Sequence, residues 1–215
     1  MEIRHLLVLL ASCAAEAPAP PVTVIAKPAE LVVSTPFDEE VPQIRKGTIH
    51  GWQAAIGAWS VRDGALHGDE LPEDHHASSC THGVEAGDLV ITAECRLGAA
   101  AHLAIGCRDA IAPHHHLARL YIAADGLWIQ RMSGIAKTTR AEKVAERSVR
   151  IDPDAWHSVT IEIVDDRYRA TVDDVVVEAH AERFRDAKAL VALITKGQGA
   201  QFRNVAIWKA VPVEQ

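Results

Sequence analysis

The stretch Asp88–Ile122, DLVITAECRLGAAAHLAIGCRDAIAPHHHLARLYI, decides the fold. It contains three runs in which apolar and polar residues alternate, which is the pattern of a strand with one buried face. The first two runs are joined by four residues that begin with Gly98, so they are predicted to form a β-hairpin. The alternation predicts that six apolar residues are buried on one side of one sheet: Leu89, Ile91, Leu103, Ile105, Leu120 and Ile122.

The polar residues of the same three runs are expected to share the opposite face of that sheet. They are Thr92, Glu94, Arg96, His102, Arg108, Arg119 and Tyr121. A face with this much charge fits a ligand-binding surface, and it also fits an ordinary solvated sheet surface.

Composition narrows the functional class. The chain has 215 residues and a net charge of -7, and its isoelectric point is near 5.9. Its arginines are scattered singly among acids, which argues against a nucleic-acid partner. The longest apolar run, Leu6–Ala11, is too short to span a bilayer. The length suits one all-β domain with a sizeable core, with or without a tail.

The N-terminus resembles an export signal. Arg4 and His5 precede an apolar run that ends in Leu10–Cys13, the pattern of a bacterial lipoprotein signal. This predicts export to the cell envelope or periplasm, with a lipid on Cys13 as the contact with a membrane. A generic secretion signal and a misplaced start codon are the alternatives. We therefore expect a signal segment at 1–13, an Ala/Pro-rich tether at 14–36 that passes into an edge strand, and a domain at 37–210.

The remaining chain carries the turn signals of an all-β protein. Asp63-Gly64 and Asp165-Asp166 each separate two alternating runs, and about a dozen such strands predict a sandwich or barrel. Residues 69–87 are expected to be loop around one short strand, 133–148 a surface excursion, and 178–188 one or two helical turns. If Cys13 is lipidated, three cysteines remain, and we expect them to be reduced and buried: Cys80, Cys95 and Cys107.

Four pieces in order resemble one known family. They are the Trp59–Leu66 hairpin, the Glu94 strand followed by a strand ending in Arg108, the Trp156–Val159 strand start, and the closing Phe202–Asn204. Together they resemble the secreted 3-keto-disaccharide hydrolase (glycoside-hydrolase-like) domain family over residues 37 to 209. Asp173-Asp174 stands where the family usually has Asn-Gly, and 190–193 replaces a Gly-rich approach. The second departure points to a divergent subgroup with a different ligand.

The resemblance implies an all-β, concanavalin-A-like jelly-roll sandwich of two antiparallel sheets. It also implies a saccharide or glycan partner on the concave sheet, with Glu94 and Arg108 at the centre of the site. A carboxylate and an arginine fork suit vicinal hydroxyl groups, and Tyr121 or a tryptophan offers a ring for stacking. The other expected ligand-binding residues are Thr92, Arg96 and Arg119.

Catalysis on this face is a separate question. The chain lacks the Glu-x-Asp-x-Glu strand of retaining β-glucanases, so that mechanism is not expected. A lyase acting on a 3-keto sugar needs a base and a cation, and Glu94, His102 and Arg108 could supply them. Three functional classes therefore stay open: a carbohydrate-binding module, a 3-keto-glycoside hydrolase or lyase, and a structural adhesive domain of the envelope.

No cofactor is predicted. The histidines at 75–76, 82 and 114–116 could form a divalent-metal site between two loops, but no motif with metal-ligand spacing accompanies them. Histidine runs on exposed loops are also commonly just solvated. The oligomeric state has no signal in the sequence.

Overall fold

The computed structural model describes residues 17–111 and 113–214, and nearly all regular structure in them is β. The strands, in chain order, are β1 (Ala26–Thr35), β2 (Val41–Ile44), β3 (Gly47–Ile49), β4 (Trp52–Ile56), β5 (Ala58–Arg62), β6 (Ala65–Asp69), β7 (Ser78–Ala86), β8 (Asp88–Arg96), β9 (His102–Asp109), β10 (His116–Ala123), β11 (Gly126–Ser133), β12 (Arg140–Ser148), β13 (His157–Val164), β14 (Arg167–Val172), β15 (Val175–His180), β16 (Lys188–Lys196) and β17 (Ala200–Pro212). The helical elements in this part of the chain are the short 3-10 turns Pro72–Asp74, Ala136–Thr138 and Glu182–Arg185.

The strands form two antiparallel sheets. Sheet I has the order β15-β14-β13-β8-β17-β6-β5-β2, and β1 also pairs with β17. Sheet II has the order β12-β11-β10-β9-β16-β7-β4-β3. The predicted fold, an all-β jelly-roll sandwich of two antiparallel sheets, is therefore confirmed.

One hydrophobic core fills the space between the sheets. Leu89 and Ile91 enter it from sheet I, and Leu103 and Ile105 enter it from sheet II, each at most 1% exposed. Burying one such side chain stabilises the fold by roughly 1.5–3 kcal/mol. Because each strand points alternate side chains into this core, every strand presents its other side chains on an outer face.

The predicted hairpin between the first two runs is wrong. β8 lies in sheet I between β13 and β17, whereas β9 lies in sheet II between β10 and β16. The chain crosses between the sheets at Gly98, whose φ is 59° and whose N–H donates to the Pro153 carbonyl (2.7 Å). A Cβ on Gly98 would lie 2.4 Å from the Gly199 carbonyl oxygen, so only glycine fits. The six apolar residues are buried, but on two sheets that face each other.

One strand is longer than predicted, and another was not predicted. Residues 78–86 form β7, an interior strand of sheet II, although only one short strand was expected there. The sequence of β7 shows no clear alternation of apolar and polar residues, because Ser78 and Ser79 are buried together with Cys80. Residues 140–148 form the edge strand β12 instead of an irregular excursion. Both faces of this edge strand are largely polar, which hides the alternation.

Ala26–Thr35 forms β1, the edge strand into which the segment 14–36 was expected to pass. Glu162 fixes the start of this strand. Its Oε2 accepts the backbone N–H groups of Val24 (2.9 Å), Ile25 (2.7 Å) and Ala26 (3.0 Å), and Glu162 is 2% exposed. The predicted signal segment, with Cys13, lies outside the described residues. No helix within 17–111 or 113–214 is long and apolar enough to cross a membrane.

The three described cysteines are buried free thiols, as expected. Burial raises the pKa of Cys80 and of Cys107 to about 12, and it raises the pKa of Cys95 further. Protonated thiols of this kind pack as small apolar side chains.

Candidate functional site

The residues expected on one ligand face lie on two opposite faces of the molecule. Thr92, Glu94 and Arg96 are on the outer face of sheet I. The outer face of sheet II carries the other four: His102, Arg108, Arg119 and Tyr121. The expectation of a shared face is wrong because the chain changes sheets at Gly98. Glu94, His102 and Arg108 are therefore not brought together as a catalytic trio.

On sheet I, Glu94 is held inside a network of its own. Its carboxylate accepts from Arg203 Nε (2.8 Å) and Nη2 (2.5 Å) and from Asn204 Nδ2 (2.7 Å). The Trp156 ring stacks against the Arg203 guanidinium (4.1 Å from Cζ to the ring centroid), and Arg96 also approaches it (5.2 Å). Burial alone would raise the pKa of Glu94, but the hydrogen bonds from Asn204 and Arg203 outweigh burial and lower that pKa. Glu94 is thus a charged structural group.

The N-terminal segment covers part of this face. A cavity of about 730 Å³ has Thr92 and Glu94 in its lining, and Ala17, Pro18, Ala19 and Pro21 line it as well. β1 continues this cover, and Ala26 packs against Val90 and Trp208. The chain itself therefore occupies the part of the outer face of sheet I around β8 and β17.

On sheet II, three aromatic rings pack together. Tyr121 and Trp128 stack with centroids 4.9 Å apart and ring planes 5° apart, and His102 meets both edge-on at 5.2 and 6.0 Å. Tyr121 is only 8% exposed. Lys143 Nζ lies 5.5 Å from the Trp128 centroid. The rings turn their faces to one another, so they form a wall beside the site instead of the flat stacking surface expected of Tyr121.

Arg119 lies next to this wall and is held at both ends of its guanidinium. Nη1 donates to the Tyr121 hydroxyl (3.2 Å), and Nη2 donates to His116 Nδ1 (3.0 Å). Its aliphatic stem crosses Gly106 on the neighbouring strand, where a Cβ would lie 2.6 Å from Arg119 Cγ. Gly106 therefore provides the space in which Arg119 is oriented.

Arg108 follows Gly106 on the same face of β9 and is half-buried. Its guanidinium makes no hydrogen bond or ion pair with the residues that the structure describes. Burial, and then the charge of Arg119, lower the pKa of Arg108. Two neighbouring guanidiniums thus share this part of the face, and only Arg119 has protein partners.

His116 completes the group and was not predicted as part of it. A β-bulge between His116 and Ala118 places the imidazole beside Arg119, where it is 7% exposed. Burial, followed by the charges of Arg119 and Arg108, lowers the pKa of His116 to about 3. The only signal in the sequence was its position at the end of the histidine run, where it was grouped with metal-ligand candidates.

Those metal-ligand candidates do not converge. Within the described residues, no group of three or more His, Cys, Asp or Glu side chains is placed to hold a metal ion. Instead, His76, His82 and His114 each contact a nearby backbone carbonyl, at 2.6, 2.7 and 2.9 Å. The proposed metal site between two loops gains no support from this geometry.

Comparison with known proteins assigns this chain to a family. The model of the 3-keto-alpha-glucoside-1,2-lyase-like domain matches residues 46–208, about three quarters of the chain. The chain belongs to this family. The family resemblance seen in the sequence is thus confirmed. No curated protein sequence matches the chain.

Solved structures of carbohydrate-active proteins share the fold of this lyase-like domain. The carbohydrate-binding module CBM66 from Bacillus subtilis is 18% identical with a TM-score of 0.59, covering 74% of this chain and 96% of that one. The laminarinase from Rhodothermus marinus is 15% identical with a TM-score of 0.57, covering 86% and 98%. The Bacillus licheniformis β-glucanase is 8% identical with a TM-score of 0.58, covering 84% and 98%. At these identities the likeness concerns the fold.

Proposed function

We propose that this lyase-like domain binds a saccharide on the outer face of sheet II. The observation that carries the proposal is the juxtaposition of Arg108, Arg119 and His116 with the aromatic wall of His102, Tyr121 and Trp128. Saccharide sites combine aromatic side chains with several directed hydrogen bonds. Both kinds of group meet on this face.

The outer face of sheet I is the weaker candidate for two reasons. The Glu94 carboxylate already accepts three hydrogen bonds, and a ligand would have to displace Arg203 or Asn204 to reach it. Ala17, Pro18, Ala19 and Pro21 also line its cavity. We therefore assign Thr92, Glu94 and Arg96 structural roles.

Export and lipidation of Cys13 remain part of the proposal on the strength of Leu10–Cys13 alone. The geometry agrees with such an anchor, because the described chain begins against sheet I. A tether leaving from that side would keep the outer face of sheet II free for a glycan. The contact with a membrane would then be made by the lipid.

A lyase activity on 3-keto glycosides is the second candidate. Burial, and then the charges of Lys196 and Arg119, lower the pKa of His102. His102 is therefore a neutral imidazole at pH 7, able to accept a proton on the same face as Arg108. This variant of the lyase proposal uses His102 and Arg108 without Glu94. A structural adhesive role is the remaining alternative, and it requires that the face bind no sugar.

Glycan-array screening followed by NMR titration tests the proposed function. A bound saccharide should shift backbone signals in β9, β10 and β11 and leave those of β8, β13 and β17 unchanged. Incubation with 3-keto glucosides, monitored for release of the aglycone or second sugar, separates binding from turnover. Shifts confined to sheet I would contradict the proposed face, and the absence of any saccharide ligand would favour the adhesive role.

A further inference from the structure

The uncompensated charge on the outer face of sheet II indicates the class of ligand. Three other half-buried arginines of the described residues pair with carboxylates: Arg169, Arg183 and Arg203. Arg96 instead donates to the Gln201 Oε1 (2.6 Å). Arg183 contacts Asp109 (2.5 Å) and also Asp186, and Arg203 contacts Glu94 (2.5 Å). Arg108 has no such partner in the described residues, and Arg119 contacts two neutral groups only. This occurs in a chain with 29 acidic and 22 basic residues, in which carboxylates are plentiful.

Two carboxylates near this face are already engaged: Glu70, whose charge acts on His102, and Asp109, which follows Arg108 in the chain. Glu70 accepts from Lys196 Nζ (2.5 Å) and from the Gly197 N–H (2.8 Å). Asp109 is fully buried and accepts from Arg183 (2.5 Å) as well as from two backbone N–H groups. Neither carboxylate neutralises Arg108 or Arg119.

His116 adds a third donor and no negative charge. A guanidinium can only donate, so His116 Nδ1 accepts the hydrogen bond from Arg119 and the imidazole proton lies on Nε2. The cluster of Arg108, Arg119 and His116 therefore carries two positive charges and offers only N–H donors. A neutral sugar hydroxyl both donates and accepts, and a site for it normally includes acceptors. The part of the site formed by this cluster, which consists of donors alone, matches an oxyanion.

We propose that Arg108 and Arg119 bind the oxyanion substituent of an acidic saccharide, with the Nε2–H of His116 as a third donor. The substituent is a uronate carboxylate or a sulfate ester. Each carries negatively charged oxygens that can accept hydrogen bonds from a guanidinium fork. The inference rests on the proposed function, because it names the ligand of the same face. The aromatic wall then contacts the sugar ring beside the charged group.

Calorimetry with matched ligands tests the inference. Neutral gluco- and galacto-oligosaccharides are compared with their C6-oxidised (uronate) and sulfated counterparts of equal length. We expect the acidic forms to bind about tenfold or more tightly than the neutral forms, which is the effect of one charge-assisted contact. Added salt should weaken only the acidic ligands. Preference for the uronate or for the sulfate ester identifies the substituent.

Variants of Arg108 test whether this residue causes the preference for acidic ligands. Arg108→Gln should remove the preference for acidic ligands, and the exposed Arg150→Gln should keep it. Arg108→Lys keeps the charge but loses the fork, so it should retain part of the preference; it also serves if Arg108→Gln does not fold. Equal affinity for neutral and acidic sugars would overturn the inference and leave the proposed function standing. An acidic preference that survives in Arg108→Gln would also overturn it. Failure of every saccharide to bind would overturn both.

Discussion

The two outer faces of the sandwich differ in how their charges are satisfied. On sheet I, Glu94 is matched to Arg203 and Asn204, and the N-terminal segment lies over the same face. On sheet II, Arg108 and Arg119 are close enough for their charges to interact, and neither contacts a carboxylate of the described residues. A closed network stabilises the fold, whereas unpaired, oriented donors cost stability and are retained where a ligand completes them. The comparison teaches that charge on a sheet face is informative only once its partners are known.

The largest expected effect concerns the outer face of sheet I, where the charged groups are paired. Glu162→Ala removes the acceptor for three backbone N–H groups at residues 24–26 and should lower the free energy of unfolding by about 3 kcal/mol. Urea denaturation measures this change. Glu178→Ala is the matched control, since Glu178 is the more exposed partner of the same Arg169 and should cost no more than about 1 kcal/mol. Equal losses in the two variants would show that Glu162 does not fasten the N-terminal segment.

The next effect concerns the space beneath Arg119. Gly106→Ala places a Cβ 2.6 Å from Arg119 Cγ and 3.1 Å from the Ala118 carbonyl oxygen. Arg119 must move, so we expect about 1–2 kcal/mol of destabilisation and about a tenfold loss of saccharide affinity. Gly83→Ala in β7, where a Cβ would meet nothing within 4 Å, should leave affinity unchanged. Unchanged affinity in Gly106→Ala would remove Arg119 from the site.

A reciprocal pair of substitutions then tests the two faces directly. Glu94→Gln should lower stability by about 1 kcal/mol, because Arg203 loses a partly exposed ionic partner, and saccharide affinity should not change. Arg108→Gln should do the opposite, reducing affinity while thermal stability stays within about 0.5 kcal/mol of the wild type. Thermal melting and calorimetry on both variants give the answer. If Glu94→Gln weakens saccharide binding, the assignment of the ligand to sheet II is wrong.

The smallest effect at neutral pH concerns His116. Its pKa is about 3 in the folded protein and ordinarily 6.5, so between these values the unfolded chain binds the additional proton. The stability linked to a neutral His116 is therefore complete above pH 6.5 and is lost as the pH falls toward 3. His116→Gln should flatten the decline in unfolding free energy between pH 6.5 and 4, while the exposed His180→Gln should not. Urea titrations at several pH values measure the slope, and identical slopes would contradict the buried, neutral state of His116.

Local pattern predicted much of this fold. Alternation assigned the buried and outward side chains of β8, β9 and β10, and Asp63-Gly64 marked a real hairpin, in which Val61 pairs with Leu66. Alternation has a period of two residues and says nothing about which strand is the neighbour. The chain changes sheets between β8 and β9 at Gly98, which packs closely against Gly199. These two residues are far apart in sequence.

The sequence predicted the candidate site only in part, because alternation does not identify neighbouring strands. His102, Arg108, Arg119 and Tyr121 share a face because β9 and β10 are true neighbours. His116 required a bulge, which shifts the alternation by one residue. The role of Gly106 required the register that places it opposite Arg119. These features arise from pairing between strands, which a single strand's sequence does not encode.

The pairing of β1 with β17 also determines how the domain responds to force. Ala26 pairs with Pro212, and the Val213 N–H donates to the Ile25 carbonyl (3.1 Å), so β1 begins and β17 ends at the same corner of sheet I. Tension applied through those two ends would open the hydrogen bonds between the two strands one after another, as in a zipper, instead of shearing them all at once. The domain would yield first by peeling β1 away, and the Arg108–Arg119 surface on the far side would keep its shape.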